Sequence, residues 1–371
     1  MEFRIERDEF VKGLARVQSI IEKKSTLPIL ANVLIHAVKE GLELAATDLE
    51  VGLRGTCAAG VSKEGSVTLP ARRLFEIIKE LPAGEVKLTR EPNDWVAIEY
   101  PGGRMVLAGL PADDFPAIAN FEEEGFATFE PDLLSDMIDK TLFAVSTDET
   151  RYYLNGVFLE TSGKNKNLLR MVSTDGHRLC VVEREVPSAT KLSLSGGVIL
   201  PRKAVGELKK LLAEKPDEVQ LAIRDRNAVV KAGSTQLTIR LIDGEFPDYT
   251  RVIPSACDKT ARVDREAFLH ALRRTSIVSA EMTRGVKLTF SDDAMEIAAQ
   301  NPSLGEAKET IPARYKGADL EIGFNARFFM DVLGVITPGE VILEFSDELS
   351  PALIRAESAE GFRSVIMPMR L

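Results

Sequence analysis

The order of apolar and polar residues along the chain predicts short strands interrupted by short helices. Apolar and polar residues alternate one by one in segments such as 42–55 and 86–100, which is typical of half-buried β-strands. Elsewhere apolar residues recur every three or four positions, as at Phe10, Leu14 and Val17, which is typical of amphipathic helices. Six segments have this helical pattern: 8–20, 70–81, 131–142, 201–212, 264–275 and 325–333.

The predicted elements recur three times in the same order. In each copy a strand and a first helix precede a strand that ends in a polar pair, and a second helix follows. The polar pairs, 127 and 126 residues apart, are Thr47-Asp48, Thr174-Asp175 and Gln300-Asn301. The second helices begin at Pro70, Pro201 and Asn325, and we expect both prolines in the first helical turn, which tolerates a missing N–H. Because a third of 371 residues is about 124, the spacing predicts three copies of one unit.

Each copy combines two helices with about eight strands. Helices that cover one face of an antiparallel sheet form an α+β unit, which is the predicted fold class. The predicted domains are residues 1–121, 122–254 and 255–371.

Composition narrows the possible functions. The chain is 44% hydrophobic and 28% charged, which excludes a wholly disordered protein. No apolar run approaches the ~18 residues of a membrane helix and the first residues are charged, so we expect a cytoplasmic protein with no membrane partner. The three cysteines and three histidines are widely separated, which argues against a disulfide framework and a metal site. No phosphate-binding loop, dinucleotide fingerprint, zinc-protease helix or nucleophile elbow occurs, so we expect no cofactor.

The net charge of −10 is unevenly distributed. The six predicted helices carry 14 basic and 11 acidic residues, a net charge of +3, which leaves −13 for the rest of the chain. The densest basic positions are Lys23, Lys24, Arg72, Arg73, Arg202, Lys203, Lys209, Lys210, Arg273 and Arg274. Chance is one explanation, since helix surfaces favour Lys and Arg in any protein. The other explanation is that the helices face a polyanion and contact its phosphates without reading bases.

Two short motifs are candidates for catalysis, and neither is complete. Ser188 and Lys191 have the S-x-x-K spacing, but no K-T-G motif accompanies them. Asp175 and His177 provide an acid and a base, yet no nucleophile is evident nearby and the other two copies lack the pair. A turn-shaping or binding role is favoured for this cluster. Two alternatives stay open: a hydrolase or transferase that uses it, and a purely structural scaffold.

The last residues, SVIMPMRL, are mostly apolar and surround a proline. They predict either a final edge strand packed into the core or an adaptable groove that receives apolar peptide side chains. Composition alone does not separate these two interpretations.

Several motifs together closely resemble those of the bacterial sliding clamps, the beta subunits of DNA polymerase III. The motifs are Arg-Tyr-Tyr-Leu-Asn-Gly at 151–156, Thr-Asp-Gly-His-Arg-Leu at 174–179, Phe-Pro-Asp-Tyr at 246–249 and the terminal Met-Pro-Met-Arg-Leu. Residues 26–30 and 47–50 are similar to the N-terminal signature of that family. The resemblance covers the whole chain, including the threefold repeat.

The resemblance implies a non-catalytic processivity factor with the DNA clamp fold. In that family two subunits join head to tail into a ring of six domains around duplex DNA, so that encirclement tethers the polymerase without tight or sequence-specific binding. Such heterologous contacts require that the two ends of the subunit be complementary. The implied partners are the polymerase III alpha subunit, the clamp loader, and other polymerases and repair proteins with clamp-binding peptides.

The resemblance also assigns residues to three surfaces. The expected partner-peptide pocket consists of Leu154, Thr174, Gly176, His177, Arg178, Leu179, Pro247, Arg251, Val252, Val365, Met367, Pro368, Met369 and Arg370. Expected DNA contacts are Lys24, Tyr152 and Tyr153, which join the basic candidates Arg72, Arg73, Arg202 and Lys203. The expected dimer interface has Arg73, Arg104, Met105, Leu107, Ile277 and Val278 on one side, and Glu306 and Glu309 on the opposite edge.

Overall fold

The structure is a computed structural model that describes residues 1–21, 27–118, 125–162, 167–192, 194, 196–280, 283–291 and 293–371. Within these residues there are six α-helices and 25 strands, and the paired strands are antiparallel. The predicted α+β class is confirmed, and the elements follow the predicted repeat.

The first repeat contributes nine of the described strands. They are β1 Glu2–Glu6, β2 Asn32–Val38, β3 Gly41–Thr47, β4 Val51–Cys57, β5 Gly60–Lys63, β6 Gly65–Pro70, β7 Glu85–Arg90, β8 Val96–Tyr100 and β9 Gly103–Leu107. Its helices are α1 Arg7–Gln18 and α2 Ala71–Glu80.

The second repeat contributes eight described strands. They are β10 Ala127–Phe129, β11 Gly156–Ser162, β12 Leu168–Thr174, β13 Arg178–Glu185, β14 Val198–Pro201, β15 Val219–Arg224, β16 Asn227–Ala232 and β17 Thr235–Arg240. Its helices are α3 Pro131–Asp139 and α4 Arg202–Ala213.

The third repeat also contributes eight described strands. They are β18 Lys259–Asp264, β19 Gly285–Ser291, β20 Ala294–Asn301, β21 Gly305–Lys316, β22 Leu320–Asn325, β23 Glu340–Phe345, β24 Ala352–Ala356 and β25 Phe362–Ile366. Its helices are α5 Arg265–Thr275 and α6 Ala326–Val335.

The helices form where their apolar stripes predict them. Phe10, Leu14 and Val17 of α1 are all buried, because a stripe at this spacing lies on one face of a helix and packs against the core. The prediction for the two prolines was wrong by one residue. Pro70 and Pro201 are the last residues of strands, and each helix begins at the following position.

One compact unit of the chain contains chiefly Met1–Asp132 and Lys203–Leu241. It holds a five-stranded sheet, β5-β1-β7-β8-β9, and an eight-stranded sheet, β10-β15-β16-β17-β4-β3-β2-β6. In the larger sheet β4 of the first repeat pairs with β17 of the second, with Leu53 opposite Leu237. We call this pairing, together with the turn at residues 47–51, the first junction.

The other compact unit contains chiefly Leu133–Thr190 and Ile242–Leu371. Its twelve-stranded sheet has the order β14-β11-β12-β13-β25-β24-β23-β18-β21-β20-β19-β22. Here β13 of the second repeat pairs with β25 of the third, with Leu179 opposite Val365. We call this pairing, together with the turn at residues 174–178, the second junction. Each unit includes part of the second repeat, and the domain boundaries drawn from the repeat remain a prediction.

Candidate functional site

The turn at the second junction is held by the side chains of its polar pair. The Thr174 hydroxyl accepts a hydrogen bond from the Gly176 N–H at 3.1 Å. One Asp175 carboxylate oxygen accepts the N–H groups of His177 and Arg178 at 2.9 and 3.1 Å. Gly176 has φ of +88°, a conformation that glycine adopts without steric cost. The carboxylate of Asp175 is therefore used to shape the turn.

The C-terminal segment runs beside this turn. β25 pairs with β13, and the Met367 N–H then donates to the His177 carbonyl at 2.9 Å. Two residues later the Met369 N–H donates to the Gly323 carbonyl, also at 2.9 Å. The structure thus shows the final strand packed into the core, followed by partly exposed methionines, and the peptide-binding groove stays a prediction.

A cluster of buried apolar side chains lies beneath the turn and the C-terminal strand. Phe158 and Phe246 stack with ring centroids 4.8 Å apart, and Tyr249 packs against both rings. The full cluster is Leu154, Phe158, Val172, Leu179, Val181, Ile199, Phe246, Tyr249, Leu353 and Val365. Three of the predicted pocket residues, Leu154, Leu179 and Val365, therefore meet in one core.

A polar network closes one side of this cluster. The Tyr249 hydroxyl donates to Glu160 at 2.5 Å and accepts from Arg170 at 2.7 Å. Arg170 also forms an ion pair with Glu183 at 2.6 Å. Burial, followed by the hydrogen bond to Glu160, raises the pKa of Tyr249 above its ordinary value, so the phenol stays protonated. These residues fix the aromatic side chains that support the predicted pocket.

The remaining pocket residues differ in exposure. Thr174, Pro368 and Met369 are half-buried. The exposed members are Gly176, His177, Pro247, Arg251, Val252, Met367 and Arg370. Arg251 is held by an ion pair with Asp248 at 2.8 Å. The structure therefore combines an apolar floor with an exposed rim at this position.

Arg178 is the predicted pocket residue whose surroundings the sequence did not reveal. Its guanidinium is 8% exposed, pairs with Asp175 at 3.0 Å and Asp331 at 2.6 Å, and donates to the Phe143 carbonyl at 2.6 Å. It also lies over the rings of Phe143 and Phe328, at 5.3 and 4.7 Å from their centroids. This side chain fastens the turn to α6 and to the segment around Phe143.

A cleft of about 470 Å³ adjoins Arg178 within the same unit. Its lining contains five arginines, Arg151, Arg178, Arg202, Arg284 and Arg327, together with His177. Asp148 and Asp175 provide carboxylates, and Asp148 pairs with Arg151 at 2.9 Å. Arg327 and Phe328, in the first turn of α6, also line this cleft. In the sequence, the signal for this contribution was a polar residue, Arg327, at the start of an otherwise apolar helix.

The predicted DNA contacts fall into different environments. Arg72 and Arg73 are exposed at the start of α2, and Arg202 is exposed at the start of α4. Lys203 is half-buried, because its ammonium group pairs with Asp48 and donates to the Ile20 carbonyl at 2.9 Å. Tyr152 is 55% exposed and meets Tyr153 edge to face, whereas Tyr153 packs against the apolar cluster. Lys24 lies outside the described residues.

Two strand edges carry the predicted interface residues. Among the described residues β9 pairs only with β8, and its Met105 and Val106 are exposed. The first half of β21, residues 305–311, pairs only with β20 there, since β18 joins β21 from Ala313 onward. Both segments therefore present backbone groups at an open edge.

Most side chains along these two edges are exposed, and they are either charged or apolar. Arg104 on β9 pairs with Glu91 at 2.8 Å, and Arg73 on α2 pairs with Glu76 at 3.0 Å. Leu107 and Val278 are half-buried, Glu306 is exposed, and Ile277 is 77% exposed. The half-buried Glu309 accepts a hydrogen bond from Arg274 Nε at 2.9 Å, and this bond lowers the pKa of Glu309.

Within the described part of the chain, no three His, Cys, Asp or Glu side chains are grouped so that they could hold a metal ion. No helix in that part is long and apolar enough to cross a membrane.

Comparison with known proteins gives one consistent result. Residues 1–119, 128–248 and 250–370 match the N-terminal, central and C-terminal domain families of the DNA polymerase III beta subunit. The chain is 38% identical to the beta sliding clamp of Pseudomonas aeruginosa and 34% identical to that of Escherichia coli, over the full length of every chain. It is similar over its full length to the crystal structure of the Caulobacter crescentus beta sliding clamp, with a TM-score of 0.94 and 36% identity. The Bartonella birtlesii DNA polymerase III subunit beta, bound to griselimycin, gives 0.95 and 37% over full length.

Proposed function

The chain belongs to the DNA polymerase III beta subunit family, the beta sliding clamps, and from this premise we propose which of its surfaces close the ring, hold partner peptides and contact DNA. Its function in DNA replication is that of a sliding clamp, which confers processivity on DNA polymerase III. The family is a non-catalytic subunit of that polymerase. The prediction that the chain is not an enzyme is confirmed by this membership, and Asp175 and His177 need no catalytic role.

The open strand edges carry the proposal of a head-to-tail homodimer. β4 pairs with β17 at the first junction and β13 with β25 at the second. In the threefold repeat, β21 is the counterpart of β4 and β13, and β9 is the counterpart of β17 and β25. By the same rule β21 and β9 form a third junction, but within the described chain these two strands do not pair with each other. A second copy of the chain supplies the missing partner strand of each. Two such heterologous contacts, related by a twofold axis, close a ring.

Ring closure brings the predicted interface side chains together. β9 with Arg104, Met105 and Leu107 adds to the open half of β21, which carries Glu306 and Glu309. Main-chain hydrogen bonds supply affinity in such edge-to-edge pairing, while side chains select the partner edge. Arg73 on α2, with Ile277 and Val278 after α5, completes the contact on the helical side.

Sedimentation of a Met105→Asp variant tests this interface. We expect the unmodified chain to sediment as a dimer and the variant as a monomer, because a carboxylate on β9 is desolvated without a partner when the copies pair. Leu349→Asp is the matched control, since Leu349 is 67% exposed in the segment between β23 and β24. A Met105→Asp chain that stays dimeric contradicts the proposed edge.

The second junction is the proposed pocket for partner peptides. Leu154, Leu179 and Val365 form its apolar floor, and Val252 and Met367 are exposed at its rim. Aliphatic or aromatic anchors of a short linear motif fit such a floor, and flexible methionines adapt to different anchors. We assign this pocket to the polymerase III alpha subunit, to the clamp loader, and to other polymerases and repair proteins with clamp-binding peptides.

Met367→Asp tests the pocket, because a charge at the rim opposes burial of an apolar anchor. We expect peptide affinity to fall by about a hundredfold while the dimer stays intact. Leu349→Asp again serves as the control. Unchanged affinity of a fluorescently labelled clamp-binding peptide for Met367→Asp excludes the assignment.

Duplex DNA is the proposed polyanion for the exposed basic helix ends. Arg72, Arg73 and Arg202 are exposed to phosphates, although Arg73 also pairs with Glu76, whereas Lys203 is half-buried and paired with Asp48. Lys24, Tyr152 and Tyr153 complete the proposed contact set. Such contacts are weak and independent of sequence, and they weaken with salt. Replication of chromosomal DNA places the proposed site of action in the bacterial cytoplasm.

A further inference from the structure

The turn that shapes the second junction is built a second time at the first junction. There the Thr47 hydroxyl accepts the Leu49 N–H at 3.0 Å. The Asp48 carboxylate accepts the N–H groups of Glu50 and Val51 at 2.9 and 2.6 Å. These three bonds reproduce, position by position, those made by Thr174 and Asp175 at the second junction.

The strand that closes the turn is anchored in the same way. The Arg240 N–H donates to the Glu50 carbonyl at 2.7 Å, as the Met367 N–H donates to the His177 carbonyl. Pro116 and Ile118 precede Pro247 and Tyr249 by 131 residues and occupy the corresponding segment. The first junction thus repeats the backbone scaffold of the proposed partner-peptide pocket.

One position of the turn differs between the two junctions. Gly176, with φ of +88°, is replaced at the first junction by Leu49, which holds φ of +78°. Glycine is the residue that adopts this conformation without cost, and a branched side chain there is strained. Leu49 is nevertheless 51% exposed, so little of its apolar surface is buried in return. A strained and exposed leucine at a repeated binding position suggests contact with a ligand.

Leu49 borders a cleft of about 340 Å³ that lies wholly within one compact unit. Pro116 and Ile118 supply further apolar surface, and Ile118 packs close to Gly52, where an added Cβ would lie 3.2 Å away. The charged residues on the lining are Arg226, Arg240 and Glu50, all exposed. Arg240 places a cation beside this apolar surface, which favours an occupant that carries both a carboxylate and an apolar side chain.

We propose that this cleft is a second docking site for partner proteins, which takes an extended acidic peptide carrying an apolar side chain. The inference rests on the proposed function, because the second-junction pocket is its template. Leu49 contacts the apolar side chain, and Arg240 pairs with a carboxylate of the peptide. A segment of a separate partner protein supplies such a peptide.

The experiment uses fluorescence anisotropy of a fluorescein-labelled peptide, Glu-Asp-Leu-Asp-Leu-Phe, with the full-length protein. In the Met367→Asp variant the second-junction pocket is disabled, and we expect weaker but saturable binding to remain. Adding Leu49→Gly to that variant lowers the residual affinity by about fivefold or more, because glycine keeps the turn and removes only the apolar contact. Adding Arg240→Glu has a similar effect.

Three results overturn the inference. The first is the absence of saturable peptide binding to Met367→Asp, and the second is residual binding that Leu49→Gly leaves unchanged. The third is Leu49-dependent binding of a labelled oligothymidine without binding of the peptide. Failure of the proposed second-junction pocket is a separate result: Met367→Asp then leaves total binding unchanged while Leu49→Gly removes it. A melting temperature of the Leu49→Gly variant that is no lower than that of the unmodified protein excludes unfolding as the cause of lost binding.

Discussion

The first and second junctions share a backbone and differ in the ion pairs that fasten them. At the first junction the turn supplies the carboxylate, Asp48, and the helix α4 supplies the cation, Lys203. At the second junction the turn supplies the cation, Arg178, and the helix α6 supplies the carboxylate, Asp331. The two turns are therefore fastened to a helix through different positions and with opposite charges, while the hydrogen bonds of the turn stay the same.

The apolar surroundings of the two junctions differ as well. The second junction has stacked aromatic rings and a guanidinium held between Phe143 and Phe328. The first has an exposed leucine and an arginine where the second has glycine and methionine. In the two proposed docking sites, the shared scaffold fixes the position of the peptide and the side chains placed on it select the peptide.

Removal of Arg178 is the largest expected effect on this comparison. Arg178→Ala removes the buried guanidinium from the half-buried Asp331, which keeps its longer contact to Arg327 at 3.9 Å, and from the Phe143 carbonyl. Because a hydrogen bond to a charged group contributes about 1.5–3 kcal/mol, we expect a loss of about 3 kcal/mol. Urea unfolding of the full-length protein measures this loss of stability. Arg178→Lys keeps the charge without the planar fork and is the matched control. If Arg178→Ala lowers the free energy of unfolding by less than Lys203→Ala does, the ion pairs of Arg178 are not the stronger of the two sets.

Removal of Lys203 has a smaller effect. Its side chain is 30% exposed, so solvent weakens the ion pair with Asp48, and Lys203→Ala destabilises the first junction by about 1–2 kcal/mol. The same urea unfolding experiment measures this loss of stability. Arg202→Ala, at the exposed neighbouring position, serves as control and leaves stability within about 0.5 kcal/mol.

Two buried cysteines report the opening of each junction separately. Cys57 ends β4 and is 5% exposed, while Cys180 in β13 is fully buried. Burial raises the pKa of the Cys57 thiol to about 11 and that of Cys180 to about 12, so little of either is the reactive thiolate at pH 8. In alkylation followed by mass spectrometry we expect the partly exposed Cys257 to react first, then Cys57, then Cys180.

The junction variants sharpen this order. Lys203→Ala accelerates labelling of Cys57 by about tenfold and leaves Cys180 unchanged, because opening is local to one junction. Arg178→Ala accelerates labelling of Cys180 by about tenfold and leaves the labelling of Cys57 unchanged. Equal acceleration of both cysteines by either variant means that the junctions open together.

Exchanging the turn residues gives the smallest effect. Leu49→Gly relieves the strain of φ +78° and changes stability by between zero and about 1 kcal/mol in the stabilising direction. Gly176→Ala introduces that strain and destabilises by about 1 kcal/mol, with the new methyl group displacing Arg151. Thermal melting of both variants measures the difference, and stabilisation by Gly176→Ala contradicts the assigned conformation.

The sequence predicted the repeat, the helices and the strand that ends in each polar pair, because these depend on local apolar spacing. It also placed Leu154, Leu179 and Val365 in one site, through a resemblance that covers the whole chain. It did not predict the ion pairs of the junctions. Asp331 lies 153 residues from Arg178, and Asp48 lies 155 residues from Lys203, so only the folded sheets bring these charges together.

The open edges of β9 and β21 have a consequence for how the protein is kept from aggregating. A subunit with two complementary, unlike ends polymerises without limit unless the angle between neighbours returns the last edge to the first. In the proposed dimer closure consumes both edges of both copies, so the assembled ring offers no template for further growth. When one of the two interfaces opens, only one β9 edge and one β21 edge become free, and these still face each other. The ring therefore closes again more readily than it binds another chain.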